Sequence, residues 1–308
     1  MTDINYISLI YISGSLSLLI LLSIGFVLTY MMEGFPNFAH TSHAAIGAVT
    51  SFILTRFFFF NPYHTFPLSA IVGGMIGVIL YLCIVKPIRL QEKDQGIRLT
   101  FVFLIIAWMF PSLVAIFNYW TRFYANVPTW GFVLNWYDYE IYGVPGILWF
   151  STLTCLASII GFPYFLSKTK LGLSLRATAE NEELAAVLGI NTNRAHITSW
   201  FIAGALTALV GSMYTVHGYV DVSGLDGMII PVMSGVVLGG LNIYGAIIGP
   251  VLVYLSQILI KNLLYHIFGL TFDKWEPLIP IVFLLIVLNI FPEGVMGRRR
   301  KRQAQSRF

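Results

Sequence analysis

Two histidines, His40 and His43, stand three residues apart in the stretch "NFAHTSH". On a helix that spacing puts both imidazoles on roughly one face. A histidine pair can begin a zinc site, but such a site needs a third protein ligand, and none with suitable spacing is present. The other reading of His40 is a hydrogen-bonded residue that fixes a turn. Glu33 and Asn37 lie just upstream. Inside a membrane such polar residues are functional candidates by default, because a polar group in lipid is costly unless paired. At a membrane rim, by contrast, Glu33 would simply sit in water. Asp221 and Asp226 flank Gly224 and read as solvated. There is no G-x-x-x-x-G-K-S/T phosphate loop, so the chain is not expected to hydrolyse ATP. Nucleophile, base and carboxylate-pair signatures are missing too. Cys83 and Cys155 sit in apolar stretches without a Cys-x-x-Cys neighbour and read as packing residues. No cofactor, metal or nucleic-acid partner is expected.

The elements that must hold these residues are apolar. Of 308 residues, 57% are hydrophobic and 10% charged, where a soluble domain carries about 25% charged. A soluble enzyme of this length could not hide so much apolar surface, which makes the chain a polytopic membrane protein. The opening "MTDINYISLI" has no basic region and is not read as a cleavable signal.

Runs free of Asp, Glu, Lys and Arg cover 4–32, 34–55, 57–85, 99–121, 141–167, 197–220, 227–260 and 277–292. A helix needs roughly 20 residues to span the hydrocarbon, so most runs fit one span. The first two are separated only by Glu33 and read as a hairpin turning at "EGFPNFAH". The run 227–260 is too long for one span and is interrupted at "GGLNIYG". We expect two helices meeting there, the first short, with Pro231 as a possible break. Short or broken spans are where transporters place irregular backbone that lines a cavity; close packing of small residues is the competing reading.

Charge sets the orientation. Lys86, Arg89, Lys93 and Arg98 form one basic cluster; Lys168, Lys170, Arg176 and Arg194 a second; the tail "GRRRKRQAQSRF" a third. With all three in the cytoplasm, only Arg56, Arg122, Lys261 and Lys274 are left for the other side, a clear positive-inside split. The expectation is an all-α protein with eight or nine spans, the N-terminus outside and the C-terminus cytoplasmic. Residues 1–308 form one permease domain, with a cytoplasmic loop at 168–194 and a basic tail at 297–308. The outer loop 118–143 is dense in Trp and Tyr, which suit a membrane interface or a docked partner.

The loop carries a polar island, "LGLSLRATAENEELAAVLGINTNRAH" (171–196). Asn181 is placed to cap a helix, with Glu182 and Glu183 in its first turn, where acids suit the helix dipole. Gly189 is the expected left-handed stop, with Ile190 folding back behind it. Two turns of helix are too short to be stable alone. The island is therefore either a docking helix or a segment lying on its own neighbours.

The island resembles the cytoplasmic coupling segment of ABC importer permeases, and most closely that of the branched-chain amino acid permeases. That family carries a segment like "GRALRAxAEnpelAxxLGIN…R", here "GLSLRATAENEELAAVLGINTNR". Three further stretches agree in order: "NFAH" at 37–40, "VVLGGLNIYGAIIGPVL" at 236–252, and "FPEGVMG" at 291–297. Two departures stand out: Thr41 where the family usually has Gly, and "GGLNI" for "GGxGS". The resemblance implies cytoplasmic ATP-binding subunits, a second and paralogous permease chain, and an extracytoplasmic substrate-binding protein, all working across the lipid bilayer. It makes the island the helix seated in the ATPase groove, with Arg176, Glu180, Glu182, Glu183, Ala185, Ala186 and Gly189 as coupling residues. If branched-chain amino acids are the cargo, the path should be apolar with small residues making room. Asn37, His40, Ala44, Gly47, Gly239, Gly240 and Gly245 are the candidates. Urea or short amides are an alternative cargo. A stand-alone secondary transporter is the rival class; it would carry paired ionisable residues within its spans.

Overall fold

The computed structural model describes residues 2–91, 95–126, 132–218, 225, 227–269 and 278–290. The basic tail at 297–308, the motif at 291–297, and Asp221 and Asp226 lie outside them. The chain is helical almost throughout. Its helices are α1 (Thr2–Glu33), α2 (Ala44–Arg56), α3 (Pro62–Leu80), α4 (Lys86–Arg89), α5 (Gln95–Tyr124), α6 (Gly146–Lys168), α7 (Lys170–Glu180), α8 (Glu182–Val187), α9 (Thr192–His217), α10 (Ile229–Leu238), α11 (Gly245–Phe268) and α12 (Leu278–Ile290). A π-turn at Tyr81–Val85 joins α3 to α4. A small hairpin, β1 (Glu140–Ile141) with β2 (Val144–Pro145), sits before α6. Among the described residues, six helices are long and apolar enough to cross a membrane, with α2 and α10 shorter.

The turn after Glu33 does not run straight into a second span. His40 Nε2 lies 2.9 Å from the carbonyl of Leu22. Leu22 is about three turns back along α1, roughly 16 Å from its end. Residues 34–43 therefore fold back alongside α1 as irregular backbone, and only then does α2 start. Backbone at that depth has to be satisfied internally. Asn37 Oδ1 accepts from the Ala39 N–H at 3.1 Å. The N–H groups of His43, Ala44 and Ala45 reach the carbonyls of Ala39, Thr41 and Ser42. His40 and His43 donate outward, to Leu22 of α1 and to Gly73 of α3, the latter at 2.9 Å.

The centre of the bundle is a seam of small residues. α9 packs against α1, α2 and α3. A Cβ on Gly47 would overlap the Ala208 carbonyl, and one on Gly211 the Ala44 carbonyl. Gly77 meets Trp200 the same way, and Gly204 meets Gly73. Backbones in such contact gain dispersion and lose almost no side-chain entropy, the usual driving forces where lipid removes the hydrophobic effect. The same holds between α10 and α11, where Gly239 and Gly245 lie backbone to backbone. Gly240 takes φ +85 in the turn between them. Pro231 does not break α10; it falls in the first turn, where its missing N–H costs nothing.

α5 stands outside this seam. It buries Leu99, Phe103, Ile106, Phe110 and Val114, and exposes Phe101, Ile105, Trp108 and Ile116. The buried set recurs every three or four residues, one helix face. The aromatic loop before α6 is partly tucked in. Phe132 is buried against Phe52 of α2, their rings 5.1 Å apart. Tyr63 of α3 donates to Asp138 at 2.5 Å, while Trp136 and Tyr142 stay exposed.

Enlarging Gly47 must push α2 off α9. Gly47→Ala should cost at least the roughly 1–3 kcal/mol of an overpacked core, and Gly47→Leu should leave little folded protein. Thermal unfolding of the detergent-solubilised chain checks this; an unchanged melting temperature for Gly47→Ala would refute the seam.

Candidate functional site

The polar island forms two helices. Thr169 caps the first, α7, accepting from the Gly172 N–H at 3.0 Å. Gly172 is required there because a Cβ would overlap the Phe165 carbonyl at the end of α6. α7 buries Gly172, Leu175 and Thr178 and leaves Arg176 and Glu180 exposed. Asn181 then breaks the helix with extended backbone and caps α8, accepting from the Leu184 N–H at 2.9 Å. α8 ends in a Schellman turn: the Ile190 N–H donates to Ala185 and the Gly189 N–H to Ala186, both at 3.0 Å, with Gly189 at φ +82. Only a residue tolerant of positive φ fits that position.

Of the expected coupling residues, Ala185 is buried against the protein. Glu183, Ala186 and Gly189 face out. So do Leu184, Val187 and Leu188, with Val187 83% exposed. Glu182 turns inward.

Glu182 ends in a cluster of charges that spacing did not reveal. Arg89, the last residue of α4, donates through Nη2 to Glu182 Oε2. Its Nη1 lies 3.2 Å from Oε2 of Glu33, the last residue of α1. His196, in the second turn of α9, lies between the acids: Nδ1 is 2.8 Å from Glu33 Oε1 and Nε2 is 3.2 Å from Glu182 Oε1. An ionised carboxylate only accepts, so Nδ1 carries a proton. Nε2 also lies 2.6 Å from Arg89 Nη1. Trp200 Nε1 donates to Glu33 Oε1 at 2.9 Å, and Tyr81 stacks on the His196 ring, planes 6° apart. The Glu33 side chain is fully buried. It is not a wetted rim residue, because the fold-back of 34–43 and the start of α9 enclose it.

The cluster opens on one side to a cleft of about 340 Å³ lined by Lys86, Arg89, Gln95, Glu182, Asn193 and His196, among others. Burial pushes the Glu182 carboxyl up, but the Arg89 and His196 charges and their hydrogen bonds outweigh it and hold it below its ordinary 4.5.

A second polar group lies deeper. Thr29, Asn37, His40, His43, Trp200 and Thr207 are among the residues lining a cavity of about 10 Å³, too small for an amino acid. Asn37 and His40 thus line the same cavity. Ala44 and Gly47 are in the α2–α9 seam, and Gly239 and Gly245 in the α10–α11 contact, apart from that cavity. Arg89, His196 and Trp200 were not among the sequence candidates. The one trace of them in the sequence is Glu33, an acid alone between two apolar runs.

An apolar helical bundle with irregular backbone folded among its spans is the architecture of a polytopic membrane protein. The family model described as branched-chain amino acid transport system / permease component matches residues 8–288. The chain belongs to that family, and with it to the multi-pass transport subunits of the prokaryotic plasma membrane. It is 31% identical over 282 residues, 91% of this chain and 89% of the other, to a probable branched-chain amino acid transport permease protein LivH of Methanocaldococcus jannaschii. It is 23% identical to the high-affinity branched-chain amino acid transport system permease protein LivH of Escherichia coli, covering 90% of this chain and 91% of that one. Among solved structures, a chain of PsaBC from Streptococcus pneumoniae in complex with Fab superposes with a TM-score of 0.54 at 16% identity, covering 96% and 94% of the two chains. That likeness speaks to the fold.

The lowered Glu182 value fixes a pH dependence for the docking of α8. A depressed carboxylate contributes stability that is full above its unfolded value, near 4.5, and is lost as pH falls through the lower folded value. Protection of the α8 amides against hydrogen exchange should therefore hold above that pH and fall below it. Protection that weakens on raising the pH instead would reverse the sign and refute the assignment.

Proposed function

We propose that the chain is the membrane-spanning subunit of an ABC importer for branched-chain or other hydrophobic amino acids, moved by separate cytoplasmic ATP-binding subunits that grip α8. The observation that carries this reading is the outer face of α8. Leu184, Val187 and Leu188 are exposed on a helix whose neighbours in sequence are charged and polar. An apolar patch in that setting is built to be covered by protein. α8 has six residues and cannot persist alone in water, so its ordered shape depends on what it rests on. The capped start and glycine stop hold the patch in one orientation, ready for a groove.

The rest of the assembly follows from the family. A second, paralogous permease chain completes the pore, and an extracytoplasmic binding protein delivers cargo. The positive-inside rule puts α7, α8 and the 297–308 tail in the cytoplasm and the N-terminus outside. The chain brings no phosphate loop of its own, so the energy enters through α8. The branched-chain cargo rests on the family description and on the names of the relatives. A path between α1, the 34–43 segment and α9, past Asn37 and His40, fits an apolar cargo: Asn37 Oδ1 is engaged by the Ala39 N–H and the His40 ring by the Leu22 carbonyl. The rival, an ion-driven transporter, calls for ionisable groups along its path; here Glu33, Arg89 and His196 lie at helix ends and are joined to α8.

Purification of the tagged chain from its native membrane in mild detergent tests the reading. An ATPase and a second permease chain should come with it. Val187→Asp with Leu188→Asp should release the ATPase and leave the chain in the membrane. A chain that purifies alone and moves leucine unaided in liposomes would replace the importer by the secondary transporter.

A further inference from the structure

We infer that Glu33, Arg89 and His196 are the positioning residues through which movement of α8 reaches the spans, with the Arg89 guanidinium as the moving part. The inference rests on the reading that an ATPase moves α8, and goes beyond it by naming what α8 pulls on.

Glu182, with 39% of its side chain exposed, commits its carboxylate to Arg89 and His196. Its two partners belong to different spans, Arg89 at the end of the α3–α4 span and His196 near the start of α9, and both also reach Glu33 at the end of α1. From Glu33 the contacts continue to Trp200, which lines the small cavity shared with Asn37 and His40. Polar contacts thus run from α8 as far as Trp200 at that cavity.

Such a line does not couple two places unless one element in it has two arrangements. Arg89 supplies it. With α8 docked, Nη2 is committed to Glu182 and Nη1 lies against His196. Glu33 Oε2 is within ion-pair distance of Nη1, yet it has no hydrogen bond among the described residues. A buried carboxylate oxygen left without a donor is costly. If α8 is drawn away, the fork can turn fully onto Glu33 and give that oxygen its donor. The two acids therefore compete for one guanidinium. The π-turn at Tyr81–Val85 lies directly before α4, and such interruptions of a helix are frequent at functional sites. Arg89 can swing there with α4 while α3 stays in the seam.

Competition predicts opposite effects from the two acids. In the complete complex, Glu182→Gln should loosen α8, lowering the protection of its amides about tenfold, while Glu33→Gln should leave Arg89 wholly to Glu182 and raise that protection. Both should raise the ATP spent per leucine moved. If α8 loosens in both variants, the cluster is only structural and the inference falls. Should Glu33→Gln fail to assemble, Arg89→Lys decides: it keeps the charge but not the fork, and an unchanged ATP-to-leucine ratio would overturn the proposal. The underlying reading fails separately, if adding the ATPase leaves the α8 amides of the wild-type chain no better protected.

Discussion

A carboxylate withdrawn from water must be answered by charge or by hydrogen bonds. Glu33 is in that position, and much of one end of the molecule is arranged around it. An arginine from one span, an imidazole and an indole from another, all converge on its two oxygens. These groups come from segments far apart in the chain; Glu33 and His196 are 163 residues apart. Meeting the needs of one side chain therefore fixes how three spans end relative to one another. The polar helix α8 joins the same arrangement through Glu182, so its seat is defined by the membrane part rather than by its own short length.

The same rule governs the interior. Residues 34–43 run as irregular backbone beside α1, and most of their polar groups are spent on one another and on the carbonyls of Leu22, Gly73 and Ala107, the Thr41 hydroxyl being the exception among the described residues. Histidine suits this task because its ring reaches further than Ser or Thr and donates from a fixed edge. The motif "NFAH" is, on this view, a device for breaking a helix in lipid, with Asn37 and His40 each engaging a backbone group. Where no polar group is involved, cohesion comes from contact alone, through glycines that let α2, α3 and α9 touch along their backbones.

Local features were legible in the sequence and distant ones were not. The start and stop of α8 were readable because capping is decided by residues within one turn: Asn181 accepts from Leu184, and Gly189 adopts the positive φ that its type favours. The membrane class was readable because hydropathy sums over whole helices. Ala44 and Gly47 were read as lining a path, yet they face α9. A small residue makes room equally for cargo and for a neighbouring backbone, and composition does not distinguish the two. Local grounds left Glu33 open between a functional candidate within the membrane and a wetted residue at its rim. Its burial is a property of the fold-back after it and of α9, which no spacing around residue 33 contains. Arg89 was counted as one member of a basic cluster, when it is tied to acids from two other segments.

A seam of touching backbones has a mechanical meaning. Side chains between helices act as springs, since they can change rotamer and let one helix slide on another. Where Gly47 rests on Ala208 and Gly204 on Gly73, there is nothing to flex. α2, α3 and α9 must then travel as a single stiff beam. A small push at the end near α8 would not be absorbed along the way; it would arrive at the opposite end multiplied by the ratio of the arms, and any softness in the machine has to reside in the helices that lean on the beam from outside.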